Sequence, residues 1–180
     1  VTIAILQHCS LKLPDITCLS EKYKEINFSL RKVLQELFNG IAKIPLDISK
    51  YEENGDNAIV EIFDRVLNIG QLILYTDIQL KAMFWKSLLK FTKQYVGILK
   101  DHCDIVPSIF ILMKDIKNSL PESLLMGNQV DEKSQETYFK VAHLLVQILI
   151  HYFRAFNVSL QKCSNELLGL VIFLFRFVRS

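Results

Sequence analysis

Four histidines (His8, His102, His143 and His151) and four cysteines (Cys9, Cys18, Cys103 and Cys163) are the side chains from which a metal centre or a nucleophile would be built. Their spacing builds neither. His143 and His151 lie two turns apart on one helix face with Gln147 between them, whereas helical metal sites use a four-residue step, as in HExxH. His8-Cys9 and His102-Cys103 are adjacent pairs. Neighbours on a helix diverge by about 100°, so neither pair converges on one ion. No cysteine has an activating neighbourhood, and GxSxG, GxxxxGK[ST] and GxGxxG are all missing from the sequence. Asp64, Asp77 and Asp104 read as helix-end or exposed-face acids. The expectation is a chain without catalysis, cofactor or metal.

A second kind of chemistry needs only charge. Lys86, Lys90, Lys93 and Lys100 fall in a row down one helix, with Tyr95 close by. Such a row can follow a phosphate backbone or face a protein partner, and it is equally the solvated side of an amphipathic helix. A net charge of +2 and a pI near 8.3 are too mild to favour nucleic acid by bulk charge, so DNA contact is expected to be weak. Trp85, beside Lys86, reads as a structural anchor between helices, because a lone Trp in a helical protein usually buries its ring.

The elements that position these residues are helical. With 180 residues and 20.9 kDa the chain has room for one core, read here as a single segment, 1–180. A hydrophobic fraction of 51% and a mean hydropathy of +0.25 exclude a disordered tail. Six Gly and four Pro are too few for the turns of a sandwich or barrel. From Leu19 the apolar positions Tyr23, Ile26, Leu30, Val33, Leu34, Leu37, Phe38 and Ile41 advance in threes and fours. Ser20 or Thr17 would cap this helix, and Pro45 to Asn57 reads as a loop. Asp56 would cap the next, through Ile59, Ile62, Phe63, Val66, Leu67, Ile69, Leu72 and Ile73. Thr76 and Gln79 fit a capping box for a helix carrying Leu80, Phe84, Leu88, Phe91, Tyr95 and Leu99 inward.

His102 to Asp104 breaks that pattern, and Asp104 with Pro107 starts a helix through Ile109, Leu112, Met113 and Ile116. After a linker, a long helix runs from about Asp131 through Tyr138, Val141, Leu145, Ile148, Tyr152 and Phe156. A last one spans about Ser159 to Val178. No segment alternates with period two. The fold class expected is all-α: six or seven antiparallel helices in a HEAT- or armadillo-like solenoid segment, each paired with its sequence neighbours.

The run from Leu167 to Val178 is interrupted by Arg176 and is shorter than the ~20 apolar residues of a membrane span, so no membrane association is expected. The cysteines read as reduced thiols of a nuclear or cytoplasmic protein. Val1 at the start, and an apolar segment directly after it, suggest a piece of a longer chain. In that case the last helix should leave Leu170, Phe173, Leu174 or Phe177 partly exposed.

Between Ile62 and Lys100 the sequence places Asp77, then Trp85-Lys86, Leu88-Leu89-Lys90 and Ile98-Leu99-Lys100. Further on come Tyr138-Phe139-Lys140, Leu144-Leu145 and His151-Tyr152, where the likeness is looser. This resembles the N-terminal helical region of the fidgetin-like-interacting regulator of recombination and mitosis family, over about half of the chain. The resemblance implies a non-catalytic protein-interaction scaffold in the nucleus. Its partner would be a fidgetin-like AAA ATPase, with which such proteins control removal of a RecA-like recombinase from DNA in homologous recombination and crosslink repair. The Trp-Cys-Phe element associated with ATPase contact has no counterpart here, since Trp85 is followed by Lys86, and no functional residue carries over. Two alternatives stand beside it: a nucleic-acid-binding helical repeat using the lysine row, and an unrelated HEAT-type adaptor. The oligomeric state is not legible in the residues.

Overall fold

The computed structural model describes residues 21–41, 43, 55–73, 77–124 and 131–178. Among the described residues there are seven α-helices and no strand: α1 (Glu21–Ile41), α2 (Gly55–Gln71), α3 (Ile78–Gln94), α4 (Val96–His102), α5 (Val106–Asn118), α6 (Glu132–Ala155) and α7 (Ser164–Val178). Short 3-10 turns cover Glu122–Leu124 and Leu160–Cys163. The fold is all-α. The chain divides between His102 and Cys103 into two compact units, at the place where the helical spacing was expected to break.

In the first unit, Leu34, Phe38 and Ile41 bury one narrow side of α1. Val33, expected inward, is exposed like Phe28, because it sits about 100° round the helix from Leu34. The start of α3 also differs from expectation. Asp77 itself is the N-cap, its Oδ1 accepting the Leu80 N–H at 3.0 Å, while Thr76 lies outside the described residues. Gln79 is occupied elsewhere: its Oε1 accepts from Arg31 Nη2 at 3.3 Å, and the same Nη2 donates to Asp77 Oδ1 at 3.1 Å. A carboxylate at the cap satisfies an orphan N–H and lies at the positive end of the helix dipole, which a threonine hydroxyl cannot match.

Further along the pair, the Phe38 and Phe84 rings meet with centroids 5.4 Å apart. Arg31 to Phe38 and Asp77 to Phe84 are equal steps, so α1 and α3 run in the same direction. The antiparallel pairing of α1 with its sequence neighbour is thereby corrected: its main partner is α3. Helix α2 does run against α3 and α4. Its last-turn residue Gly70 meets Phe84 and accepts from Lys81, while its first-turn residue Asp56 lies 3.8 Å from His102 Nε2 at the end of α4. Asp56 is inside α2 rather than capping it. There a carboxylate still complements the helix dipole.

All six residues assigned inward from Leu80 to Leu99 are buried. They are spread over two helices and the residue between them: Leu80, Phe84, Leu88 and Phe91 on α3, Tyr95 at the break, and Leu99 on α4. Tyr95 separates α3 from α4 with φ −114° and ψ 25°, and the β-branched Val96 and then Gly97 follow it, both weak helix formers. The spiral continues across the break through Tyr95 N–H to Phe91 C=O at 3.1 Å and Leu99 N–H to Tyr95 C=O at 3.0 Å.

In the second unit Asp104 Oδ1 accepts the Val106 N–H at 3.0 Å, and Pro107 stands in the first turn of α5. Ile109, Leu112, Met113 and Ile116 are buried, as are Val141, Leu145, Ile148 and Tyr152 on α6. Helix α5 packs against both α6 and α7. Lys117 of α5 lies beside Gly169 of α7. The last helix starts later than expected. Ser159 Oγ accepts from the Gln161 N–H at 3.3 Å and opens a 3-10 turn, with α-helix only from Ser164.

On α7 Leu170 is buried, while Phe173, Leu174 and Phe177 are half-buried. The widest exposure is on the opposite side, at Leu168 (60%), Val171 (41%), Ile172 (53%) and Phe175 (58%). The helix is apolar all round and covered on one side. No helix among the described residues is long and apolar enough to cross a membrane.

Asp131 caps α6, accepting the Ser134 N–H at 2.9 Å. Hydrogen bonds from Ser134, through its side chain and its backbone, hold this carboxyl below its ordinary value of 3.8. The folded value therefore lies under the unfolded one. The cap's contribution is complete above the unfolded value and is lost as pH falls through the folded one. In an NMR titration the Ser134 amide resonance should move with a midpoint below 3.8. A midpoint at or above that value would show that the cap is not formed in solution.

Candidate interaction face

Lys86, Lys90 and Lys93 on α3 and Lys100 on α4 are all exposed. The row therefore crosses the Tyr95 break, where a single helix was expected, but it keeps one line because the backbone hydrogen bonds continue across. Its steps of four, three and seven leave one vacant position in a heptad pattern, and Gly97 occupies it. A Cβ built on Gly97 has nothing within 4 Å. Among the described residues none of the four lysines forms an ion pair.

The aromatic residues on this pair of helices point the other way. Trp85 is fully buried and meets Phe84 edge-on, with ring centroids 5.0 Å apart. Tyr95 is buried against Phe91 at 4.9 Å. No aromatic ring of α3 is left beside the lysines for stacking.

The residues with catalytic or ligating chemistry are scattered. His143 is exposed, its Nε2 2.9 Å from Gln147 Nε2. His151 is half-buried beside the Tyr152 ring, and His102 faces Asp56. Cys103 is half-buried and Cys163 is buried. Burial pushes the Cys163 thiol up, Glu166 and Asp104 add to the effect and Lys162 opposes it, so this sulfur is held protonated. His8, Cys9 and Cys18 lie outside the described residues. Among those described, no three His, Cys, Asp or Glu side chains gather where they could hold a metal ion.

One lysine was missed by the sequence reading. Lys81 is buried, and its Nζ donates to the Gly70 carbonyl at 2.8 Å. The amine sits on a carbonyl of the last turn of α2, where a cation meets the negative end of the helix dipole. A signal was present: five residues before Lys86 corresponds to about 140° round the helix, well off the row.

These features define an all-α protein in which, among the described residues, a row of exposed lysines forms no ion pair and no thiols and imidazoles gather into a metal site. No family model matches the chain, and no solved structure matches it. It is similar to the FIGNL1-interacting regulator of recombination and mitosis of Danio rerio, 27% identical over 151 residues. The alignment covers 77% of this chain and 16% of that protein. The similarity is to the family suggested by the stretch from Ile62 to Lys100, and it extends over more of the chain than that stretch.

Proposed function

We propose that this chain is a non-catalytic interaction scaffold, a helical-repeat segment of a nuclear regulator that partners a fidgetin-like AAA ATPase in homologous recombination and crosslink repair. The observation that carries the reading is the similarity to a protein named for its interaction with FIGNL1 and for its role in recombination and mitosis. The helix arrangement supports it. In the first unit α1 packs on the second helix after it, α3, in the same direction, which is the relation between equivalent helices of successive repeats in an α-solenoid. Among the described residues Cys163 is held as a protonated thiol and the histidines are dispersed, which supports a role without chemistry of its own.

The test is co-purification. The full-length protein that contains this chain should bring down the fidgetin-like ATPase encoded in the same genome, and should do so in the presence of nuclease. Failure to form that complex under conditions where both proteins are folded would reject the reading.

A further inference from the structure

Among the described residues the four charges of the lysine row form no ion pair, and the question is what anion the row fits. We propose that Lys86, Lys90, Lys93 and Lys100, with Gly97 in the vacant place among them, form the docking face for an acidic helix of a protein partner. This rests on the reading of the chain as a protein-interaction module and names the surface it would use. Three observations separate an acidic helix from nucleic acid. The row follows a heptad rhythm on one face, the spacing at which a second helix presents its own side chains. Gly97, with open space where a Cβ would stand, makes a notch in the lysine ridge where a partner side chain can sit close to the backbone. Trp85, Phe91 and Tyr95 are buried, so the stacking that accompanies single-strand binding has no ring to use.

Charge balance points the same way. The chain has 21 Lys and Arg against 19 Asp and Glu, so setting these four lysines aside leaves it net acidic. A long polyanion gains little from that bulk charge, whereas a helix with a few carboxylates at matching positions needs only the row.

The probes are two synthetic helical peptides, one with Glu at the four positions facing the lysines and one with Gln there, and an oligonucleotide duplex of the same charge as the Glu peptide. Binding to the full 180-residue chain is measured by fluorescence anisotropy at one ionic strength. With each exposed ion pair worth a few-fold, the Glu peptide should bind at least about tenfold tighter than the Gln peptide. A chain carrying Lys86→Glu, Lys90→Glu, Lys93→Glu and Lys100→Glu should lose that preference and bind the same peptide with Lys in place of Glu. If the fourfold variant loses its helical circular dichroism, Lys90→Glu and Lys93→Glu are measured singly and should each give a partial loss.

Equal binding of the Glu and Gln peptides would overturn the proposal. Tighter binding of the duplex than of the Glu peptide would overturn it too, and with a log–log salt slope of about −3 to −4 it would assign the row to phosphates. Failure of the ATPase co-purification alongside a positive peptide result would reject the partner named above and leave the face standing.

Discussion

Replacing Trp85 with alanine is expected to lower the stability of the first unit by about 3–5 kcal/mol, the range for removing a large aromatic side chain from a packed core. Trp85 has no exposed surface and lies on α3, the helix that carries Lys86, Lys90 and Lys93. Its ring meets Phe84 edge-on at 5.0 Å, and Phe84 in turn meets Phe38 of α1 at 5.4 Å. Truncation removes burial and leaves a cavity beside the contact that joins α1 to α3. Such a cavity collapses only partly, because Phe84 is held on its other side by Gly70. Urea denaturation followed by circular dichroism measures the effect. A loss below about 1 kcal/mol would mean that the indole is not the core element described here.

The second large effect is expected at Gly70. Alanine in place of glycine inside a helix usually stabilises by roughly 0.5–1 kcal/mol, since it restricts the unfolded chain. At Gly70 the sign should reverse. A Cβ there would be driven into the Phe84 ring. The ring cannot swing away, because it is fully buried between Phe38 and Trp85. The neighbouring carbonyl of Gly70 is held by Lys81 Nζ at 2.8 Å, so shifting the backbone disturbs that bond as well. Overpacking of this kind costs about 1–3 kcal/mol or more, enough to outweigh the entropic gain.

Gly40→Ala supplies the control. A Cβ at Gly40 meets nothing within 4 Å, so that substitution should be neutral or stabilising. Gly70→Ala paired with Phe84→Leu should recover part of the loss. If Gly70→Ala stabilised the protein as Gly40→Ala does, the close approach of α2 to α3 would be wrong.

Both effects arise at a contact that the sequence did not reveal. The spacing of Leu80, Phe84, Leu88, Phe91, Tyr95 and Leu99 was enough to mark them as inward, and all are buried. Nothing in that spacing says that Phe84 must sit against Gly70, fourteen residues before it, or against Phe38 on another helix. Val33 shows the same limit in reverse: it fits a three-and-four rhythm, yet it is exposed, because the width of a buried stripe depends on how much of the helix its neighbour covers. The start of α3 lies one residue later than a Thr76–Gln79 capping box would put it. Asp77 takes the cap, and Gln79 is engaged by Arg31 from a helix more than forty residues earlier.

The candidate face was legible as a list of residues but not as a surface. Lys86, Lys90, Lys93 and Lys100 are recognisable from their period, and the period is also what separates them from Lys81. That they lie across two helices, that Gly97 opens the row and that Lys81 is drawn inside to a carbonyl are products of packing.

What the residues determine by themselves is what depends on neighbours three and four positions away: helix rather than strand among the described residues, the inward side of α2 to α6, and most of the stops. What only the tertiary structure decided is which helix meets which. Helix α1 lies along α3 rather than along α2, and α5 is shared between α6 and α7. The physical reason is that helical periodicity is a one-dimensional property of a short window. The choice of partner depends instead on shape, as with the Phe84 ring fitting where Gly70 has no side chain, and on charges that meet only after folding, as Arg31 and Asp77 do.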